Sequence, residues 1–185
     1  MKRLPNVLTI LRMALVPVFL LTISSTSTAR SILIALSIYI LAAVTDWLDG
    51  CLARRMNVVS NFGKIADPLA DKMLVLSALA VLTWASPFAL PKVIFFVILA
   101  REIVITIMRE LYQRRRIVVP ADKLGKLKTF MQMVGVIAVM LLWARFHETT
   151  TTPPSWIIMT VNIWWWLVAG ITLVSGMNYL INRQR

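Results

Sequence analysis

The sequence predicts an all-α integral membrane protein of six transmembrane helices with both termini on the cytoplasmic side. Three observations predict it. The 185 residues are 59% hydrophobic and only 15% charged, against about 45 to 50% apolar and about 25% charged for a soluble domain. The apolar residues gather into six stretches of membrane-spanning length, near 7–23, 31–52, 66–84, 90–111, 127–145 and 160–181, a bilayer core of about 30 Å needing roughly 20 residues of helix. Lys and Arg then fall almost wholly on one side of the alternation, as the positive-inside tendency requires.

The first stretch follows Lys2 and Arg3 and ends at Ser24 to Thr28. That turn lacks a small-x-small cleavage site, so the stretch reads as a retained helix and not as a signal peptide. The second runs down to Asp46 and Asp49 at its cytoplasmic end, and the third begins with Asp67 and Asp71 and ends at Trp84, before Ser86-Pro87. A basic linker, Arg54 to Lys64, joins these two. The fourth stretch carries Arg101 and Arg109, and a second basic linker, Tyr112 to Lys128, leads into the fifth. Thr149 to Pro154 separates the fifth from the sixth. Trp84, Trp143, Trp156 and Trp164 to Trp166 fall near the outer ends, where an interfacial belt is expected. The spans fill residues 1–185 as a single membrane-embedded domain.

With this topology the cytoplasmic side holds Lys2, Arg3, Arg54, Arg55, Lys64, Arg114, Arg115, Arg116, Lys123, Lys126, Lys128, Arg183 and Arg185, and the outer side only Arg30, Lys92 and Arg145. Arg12, Lys72, Arg101 and Arg109 lie within apolar stretches and need a separate reason. The net charge of +12 in so apolar a chain points to anionic lipid headgroups or a phosphorylated substrate, and not to nucleic acid. The lone Cys51 forms no intrachain disulfide.

Four of the eight acidic residues, Asp46, Asp49, Asp67 and Asp71, sit at the cytoplasmic ends of the second and third stretches. A carboxylate at membrane depth is costly and requires a partner or a cation. Asp46 and Asp49 are spaced i, i+3 and Asp67 and Asp71 i, i+4, so each pair shares a helical face. A short connection packs the two helices antiparallel and gathers the four acids. Without histidine or thiolate this is a hard oxygen site, suited to Mg²⁺ or Mn²⁺. A solvated rim paired with Arg54, Lys64 and Lys72 would not need two same-face pairs on consecutive helices. Gly50, Ala53 and Gly63 lie about one turn from the acids and leave the helix surface bare for a ligand, although glycine in a membrane helix also serves close packing.

The run from Asp46 to Arg54 and the run from Gly63 to Asp71 together match D-x-x-D-G-x-x-A-R-x8-G-x-x-x-D-x-x-x-D at every fixed position. On this signature the chain resembles the CDP-alcohol phosphatidyltransferase family of six-helix membrane enzymes. Pro5 to Arg12, Arg101-Glu102-Ile103 with Arg109-Glu110, and Lys123 to Thr129 are similar to the phosphatidylglycerophosphate synthases within that family, and are partly shared with its cardiolipin synthases.

The resemblance implies transfer of the phosphatidyl group of CDP-diacylglycerol to sn-glycerol 3-phosphate, giving phosphatidylglycerol phosphate and CMP in phospholipid biosynthesis at the bacterial inner membrane, with the active site facing the cytoplasm. It implies two divalent cations, Mg²⁺ or Mn²⁺, held by Asp46, Asp49, Asp67 and Asp71, with Asp71 also the catalytic base. It implies Gly50, Ala53, Arg54 and Gly63 as contacts of the cytidine diphosphate. Members are commonly homodimers, and no motif here marks a dimer surface. For the acceptor phosphate the candidates are Arg101, Arg109, Lys123, Lys126 and Lys128, at the cytoplasmic ends of the fourth and fifth stretches. Arg114 to Arg116 are assigned to topology and lipid contact.

Spacing alone leaves other alcohols open as acceptor, inositol phosphate, serine and phosphatidylglycerol among them. A divalent-cation transporter would also place acids in the membrane, but nearer its midplane, on broken helices and often in repeats. A structural or partner-binding protein would leave the four acids without a purpose.

Overall fold

A computed structural model describes residues 4–25, 28–56, 61–114, 123–149 and 151–181, and side-chain surroundings for these except 4–9, 25, 46–56, 61–71, 113–114, 123 and 180–181. Among the described residues six helices follow in order: α1 (Leu4–Ser25), α2 (Ala29–Met56), α3 (Asn61–Trp84), α4 (Lys92–Arg114), α5 (Lys123–Glu148) and α6 (Ser155–Ile181). All but α4 start earlier than their apolar stretches, and α1, α2, α4 and α5 run beyond them. Apolarity marks depth in a bilayer, whereas backbone hydrogen bonding continues through the polar turns.

Among the described residues two segments are long and apolar enough to cross a membrane, Leu124–Glu148 and Ser155–Tyr179, and shorter apolar helical runs cover Ile10–Ser24, Ala29–Thr45 and Lys72–Trp84. The expected fourth stretch is one continuous helix that carries Arg101, Glu102, Arg109 and Glu110 among its apolar residues.

The ends of the helices have local causes. Thr28 caps α2: its amide donates to Ser31 Oγ at 3.1 Å, and the Ser31 amide donates back to Thr28 Oγ1 at 3.2 Å, the reciprocal arrangement of a capping box with Ser in place of Glu. After α3 the chain reverses at Ser86 to Leu90, where the Ala89 amide donates to the Ser86 carbonyl at 3.2 Å and Ala89 takes a positive φ of 40°. Pro91 and Pro154 then stand just ahead of α4 and α6, accepting from the amides of Ile94 and Ile157, each at 2.9 Å. Proline at a helix start forfeits a donor that has no helical partner there.

The chain forms two compact units. One comprises Met1–Val81 and Ile137–Thr152. In it α1 presents Arg12, Val16, Phe19 and Ile23 at helical spacing, all buried, and α2 presents Ile32, Ala35, Leu36, Tyr39 and Ala42. Phe19 and Tyr39 meet with ring centroids 6.2 Å apart. Arg12 is 1% exposed, which accounts for a cation within an apolar stretch as a core residue and not as a snorkelling one.

The other unit comprises Leu82–Val136 and Pro153–Arg185. Its core takes Ile94, Ile98 and Ile105 from α4, Val136 from α5, and Trp165, Val168 and Ala169 from α6. Tyr112 and Tyr179 stack with centroids 6.2 Å apart beside Ile105 and Met108. Of the tryptophans expected near the outer ends, Trp84, Trp156 and Trp166 are exposed, and Trp143 and Trp165 are buried within the protein. Trp165 is drawn inward because Gly135 of α5 has no side chain: a Cβ there would lie 3.1 Å from Trp165 Cζ2.

Candidate active site

The signature acids lie on helical backbone. Asp46, Asp49, Gly50 and Ala53 fall on α2 at i, i+3, i+4 and i+7, and Gly63, Asp67 and Asp71 on α3 at successive turns. Each set therefore follows one stripe of its helix, as the spacing requires. The side chains of Asp46, Asp49, Gly50, Ala53, Arg54, Gly63, Asp67, Asp71 and Lys123 lie outside the described residues, as do those of Arg114 to Arg116. Among the described residues no cluster of three or more His, Cys, Asp or Glu side chains is placed to hold a metal.

In the unit that contains α4 and α6, the described basic candidates separate by environment. Arg109 and Lys126 are exposed. Lys128 is 4% exposed and Glu102 9%. Lys128 Nζ forms an ion pair with Glu102 Oε1, and Arg101 Nη1 lies 3.2 Å from the same oxygen. Arg101 Nη2 donates to Ser175 Oγ at 3.0 Å. Three helices thus meet at one carboxylate oxygen and one hydroxyl: α4 supplies Arg101 and Glu102, α5 Lys128, and α6 Ser175.

The local sequence makes this meeting feasible. Gly125, Lys128, Gln132 and Gly135 recur on α5 at i, i+3, i+7 and i+10, so a single stripe carries both the polar groups and the glycines. A Cβ at Gly125 would stand 3.7 Å from Ser175 Oγ, and one at Gly176 would stand 3.3 Å from Arg101 Cγ. Glycine at 176 leaves room for the Arg101 stem. Thr172 and Ser175 are both buried on α6, and Thr172 Oγ1 donates to the Val168 carbonyl at 2.6 Å, which satisfies that hydroxyl within its own helix. Gln132 is 2% exposed, and its Nε2 has no hydrogen-bond partner among the described residues.

The structure thus joins Arg101 and Lys128 of the five acceptor candidates and adds Glu102 and Ser175, which the basic pattern did not select. Glu102 had a visible signal, an acid adjacent to a deep arginine. Ser175 had a weaker one, a small polar residue one turn beyond Thr172 in an otherwise apolar helix. Chemically the cluster gathers two cationic groups and a hydroxyl around one carboxylate in a largely closed setting.

A sequence profile described as CDP-alcohol phosphatidyltransferase matches residues 2–174. The CDP-diacylglycerol–glycerol-3-phosphate 3-phosphatidyltransferase of Bacillus subtilis is 36% identical over 191 residues, covering 97% of this chain and 94% of its own. The enzyme of the same name from Rickettsia bellii is 34% identical over 178 residues, covering 96% and 93%. A probable phosphatidylglycerophosphate synthase of Mycobacterium tuberculosis is 37% identical over 187 residues, covering 98% and 82%. With the acidic signature intact on two successive helices and likeness running nearly end to end, the chain belongs to the CDP-alcohol phosphatidyltransferase family.

Proposed function

We propose that this chain is a membrane phosphatidyltransferase that moves the phosphatidyl group of CDP-diacylglycerol onto sn-glycerol 3-phosphate, yielding phosphatidylglycerol phosphate and CMP. The observation that carries the reading is near full-length likeness to relatives named for that reaction. The six-helix order and the apolar α5 and α6 support a multi-pass protein of the bacterial inner membrane. The bias of Lys and Arg supports both termini and the active site on the cytoplasmic side.

A primary hydroxyl of the acceptor attacks the phosphorus that bears the diacylglycerol, and the bond from that phosphorus to the CMP oxygen breaks. Asp71 takes the hydroxyl proton, a task suited to a carboxylate beside the reacting oxygen. Asp46, Asp49, Asp67 and Asp71 form an all-oxygen donor set, with neither His nor Cys at a fixed position of the signature, which fits Mg²⁺ or Mn²⁺. When bound, a pair of such ions supplies charge neutralisation at the pyrophosphate and the departing CMP. Gly50, Ala53 and Gly63 leave the backbone approachable for the cytidine diphosphate, and Arg54 offers it a cation. Arg101 and Lys128, with Arg109, Lys123 and Lys126, hold the acceptor's phosphate.

The test is CMP release from CDP-diacylglycerol by purified protein in detergent, with a panel of acceptors. Glycerol 3-phosphate should be incorporated into lipid in preference to inositol phosphate, serine and phosphatidylglycerol, and EDTA should stop turnover until Mg²⁺ or Mn²⁺ is restored. Preference for another alcohol would overturn the acceptor; no CMP release with any acceptor would overturn the reaction.

A further inference from the structure

We propose that Glu102 and Ser175 are positioning residues that aim Arg101, and through Glu102 also Lys128, at the phosphate of the acceptor. The inference rests on the reading above that Arg101 lies in the acceptor site.

Arg101 is held from two sides. Its Nη1 faces Glu102 Oε1 at 3.2 Å and its Nη2 donates to Ser175 Oγ at 3.0 Å. Its stem crosses Gly176 so closely that a Cβ there would lie 3.3 Å from Cγ. The side chains of Arg101 and Glu102 are each 12% exposed and that of Lys128 is 5%. A guanidinium fixed at both Nη atoms and crowded at its stem has little rotamer freedom left, and orientation without further loss of entropy is what a binding arginine requires.

What separates this arrangement from a plain ion pair between helices is the second anchor: Glu102 and Lys128 suffice to join α4 to α5, whereas the Ser175 hydroxyl at Arg101 Nη2 fixes the plane of the guanidinium. Exposed Arg109 and Lys126 on the same two helices add the charge that a dianionic phosphate ester requires.

Two ideas about Glu102 predict opposite signs. If only net charge mattered, Glu102→Gln would make the cluster more positive and lower the KM for glycerol 3-phosphate. If Glu102 aims the cations, the same substitution removes the charged anchor that Arg101 and Lys128 share and raises that KM.

The experiment measures KM for each substrate and kcat with the full chain in mixed micelles, for Glu102→Gln, Ser175→Ala and Arg101→Ala. Expected are rises in the acceptor KM of about 10-fold or more for Glu102→Gln and about 3- to 10-fold for Ser175→Ala, the latter equivalent to the loss of one ordinary hydrogen bond, with the CDP-diacylglycerol KM within about 2-fold of the parent. An unchanged or lowered acceptor KM in Glu102→Gln, or equal losses on both substrates, overturns the positioning role while Arg101→Ala still raises the acceptor KM. An acceptor KM untouched by Arg101→Ala overturns instead the reading on which it rests. Should Glu102→Gln fail to fold, Ser175→Ala decides: an acceptor KM equal to that of the parent overturns the proposal.

Discussion

Gly135 and Gly170 lie in long apolar helices of the same unit, and the same substitution should act on them with opposite sign. Alanine in place of glycine in a helix interior gains about 0.8 to 1 kcal/mol of intrinsic propensity. At Gly170 the added Cβ meets no atom within 4 Å, so Gly170→Ala should realise most of that gain. At Gly135 the Cβ would stand 2.6 Å from Trp164 Nε1 and 3.1 Å from both Trp164 Cδ1 and Trp165 Cζ2. Trp165 is fully buried, so the ring cannot swing aside without displacing its neighbours. Forcing a methyl into packed space costs about 1 to 3 kcal/mol, and an approach of 2.6 Å belongs to the upper part of that range, about 2 to 3 kcal/mol, which outweighs propensity and leaves Gly135→Ala about 1 to 2 kcal/mol less stable. At roughly 2 to 4 °C per kcal/mol for a chain of this size, the two variants should move Tm in opposite directions. Gly125→Ala is the internal control: its Cβ would meet Ser175 Oγ at an ordinary 3.7 Å, and Tm should not fall. The assay is thermal unfolding of the three variants in one detergent, followed by tryptophan fluorescence. Equal shifts for Gly135→Ala and Gly170→Ala would refute the close approach of α5 to Trp164 and Trp165.

The remaining predictions concern the reaction and the buried ions. Asp46→Asn, Asp49→Asn and Asp67→Asn should each remove nearly all turnover in protein that still folds, since Asn keeps the shape but gives up the carboxylate charge; near-parental activity in any two would sink the metal assignment. Arg109→Ala and Lys126→Ala should each lower kcat/KM for glycerol 3-phosphate by roughly 10- to 150-fold, the equivalent of a charge-assisted hydrogen bond of about 1.5 to 3 kcal/mol. Arg114→Ala should change it less than about 2-fold, and a loss matching that of Arg109→Ala would move the acceptor site. Lys128→Met should destabilise by about 3 kcal/mol, the low end for breaking a buried pair, because Arg101 still faces Glu102; a Tm drop of roughly 6 to 12 °C is the readout.

The parts of this protein that could be read in advance are those governed by near neighbours in sequence. Six helices follow from apolar run lengths, and the acidic stripes on α2 and α3 follow from offsets of three and four residues. The bounds moved because charged turns such as Arg54 to Met56 and Lys123 to Lys126 remain helical beyond the apolar runs. Position along the chain set Trp84, Trp143, Trp156 and Trp164 to Trp166 near the outer ends but did not show that Trp165 is buried against Gly135, a consequence of which residue lies 30 positions earlier and not of its own surroundings in sequence. The same limit applies at the candidate site. A deep Arg101 was conspicuous, but its partnership with Ser175 spans 74 residues, and the one local mark of Ser175, its place a turn beyond Thr172, does not point to Arg101. Lys128 looked like a free cation for substrate, and its ion pair with Glu102 across 26 residues was equally invisible to spacing.

The ionic junction of α4, α5 and α6 also bears on how the chain is made. Synthesis proceeds at about 5 to 20 residues per second, so Lys128 emerges roughly 1 to 5 s after Glu102, and Ser175 roughly 4 to 15 s after Arg101. In that interval α4 carries Glu102 without the ion pair to Lys128 and Arg101 without the hydroxyl of Ser175, in a setting where incompletely compensated ions are disfavoured. Lateral release of α4 from the insertion machinery is therefore expected to wait for the arrival of α5. Nascent chains cut short before Lys128 should accordingly hold α4 at the insertion machinery, detectable by crosslinking, while chains extended through α5 release it.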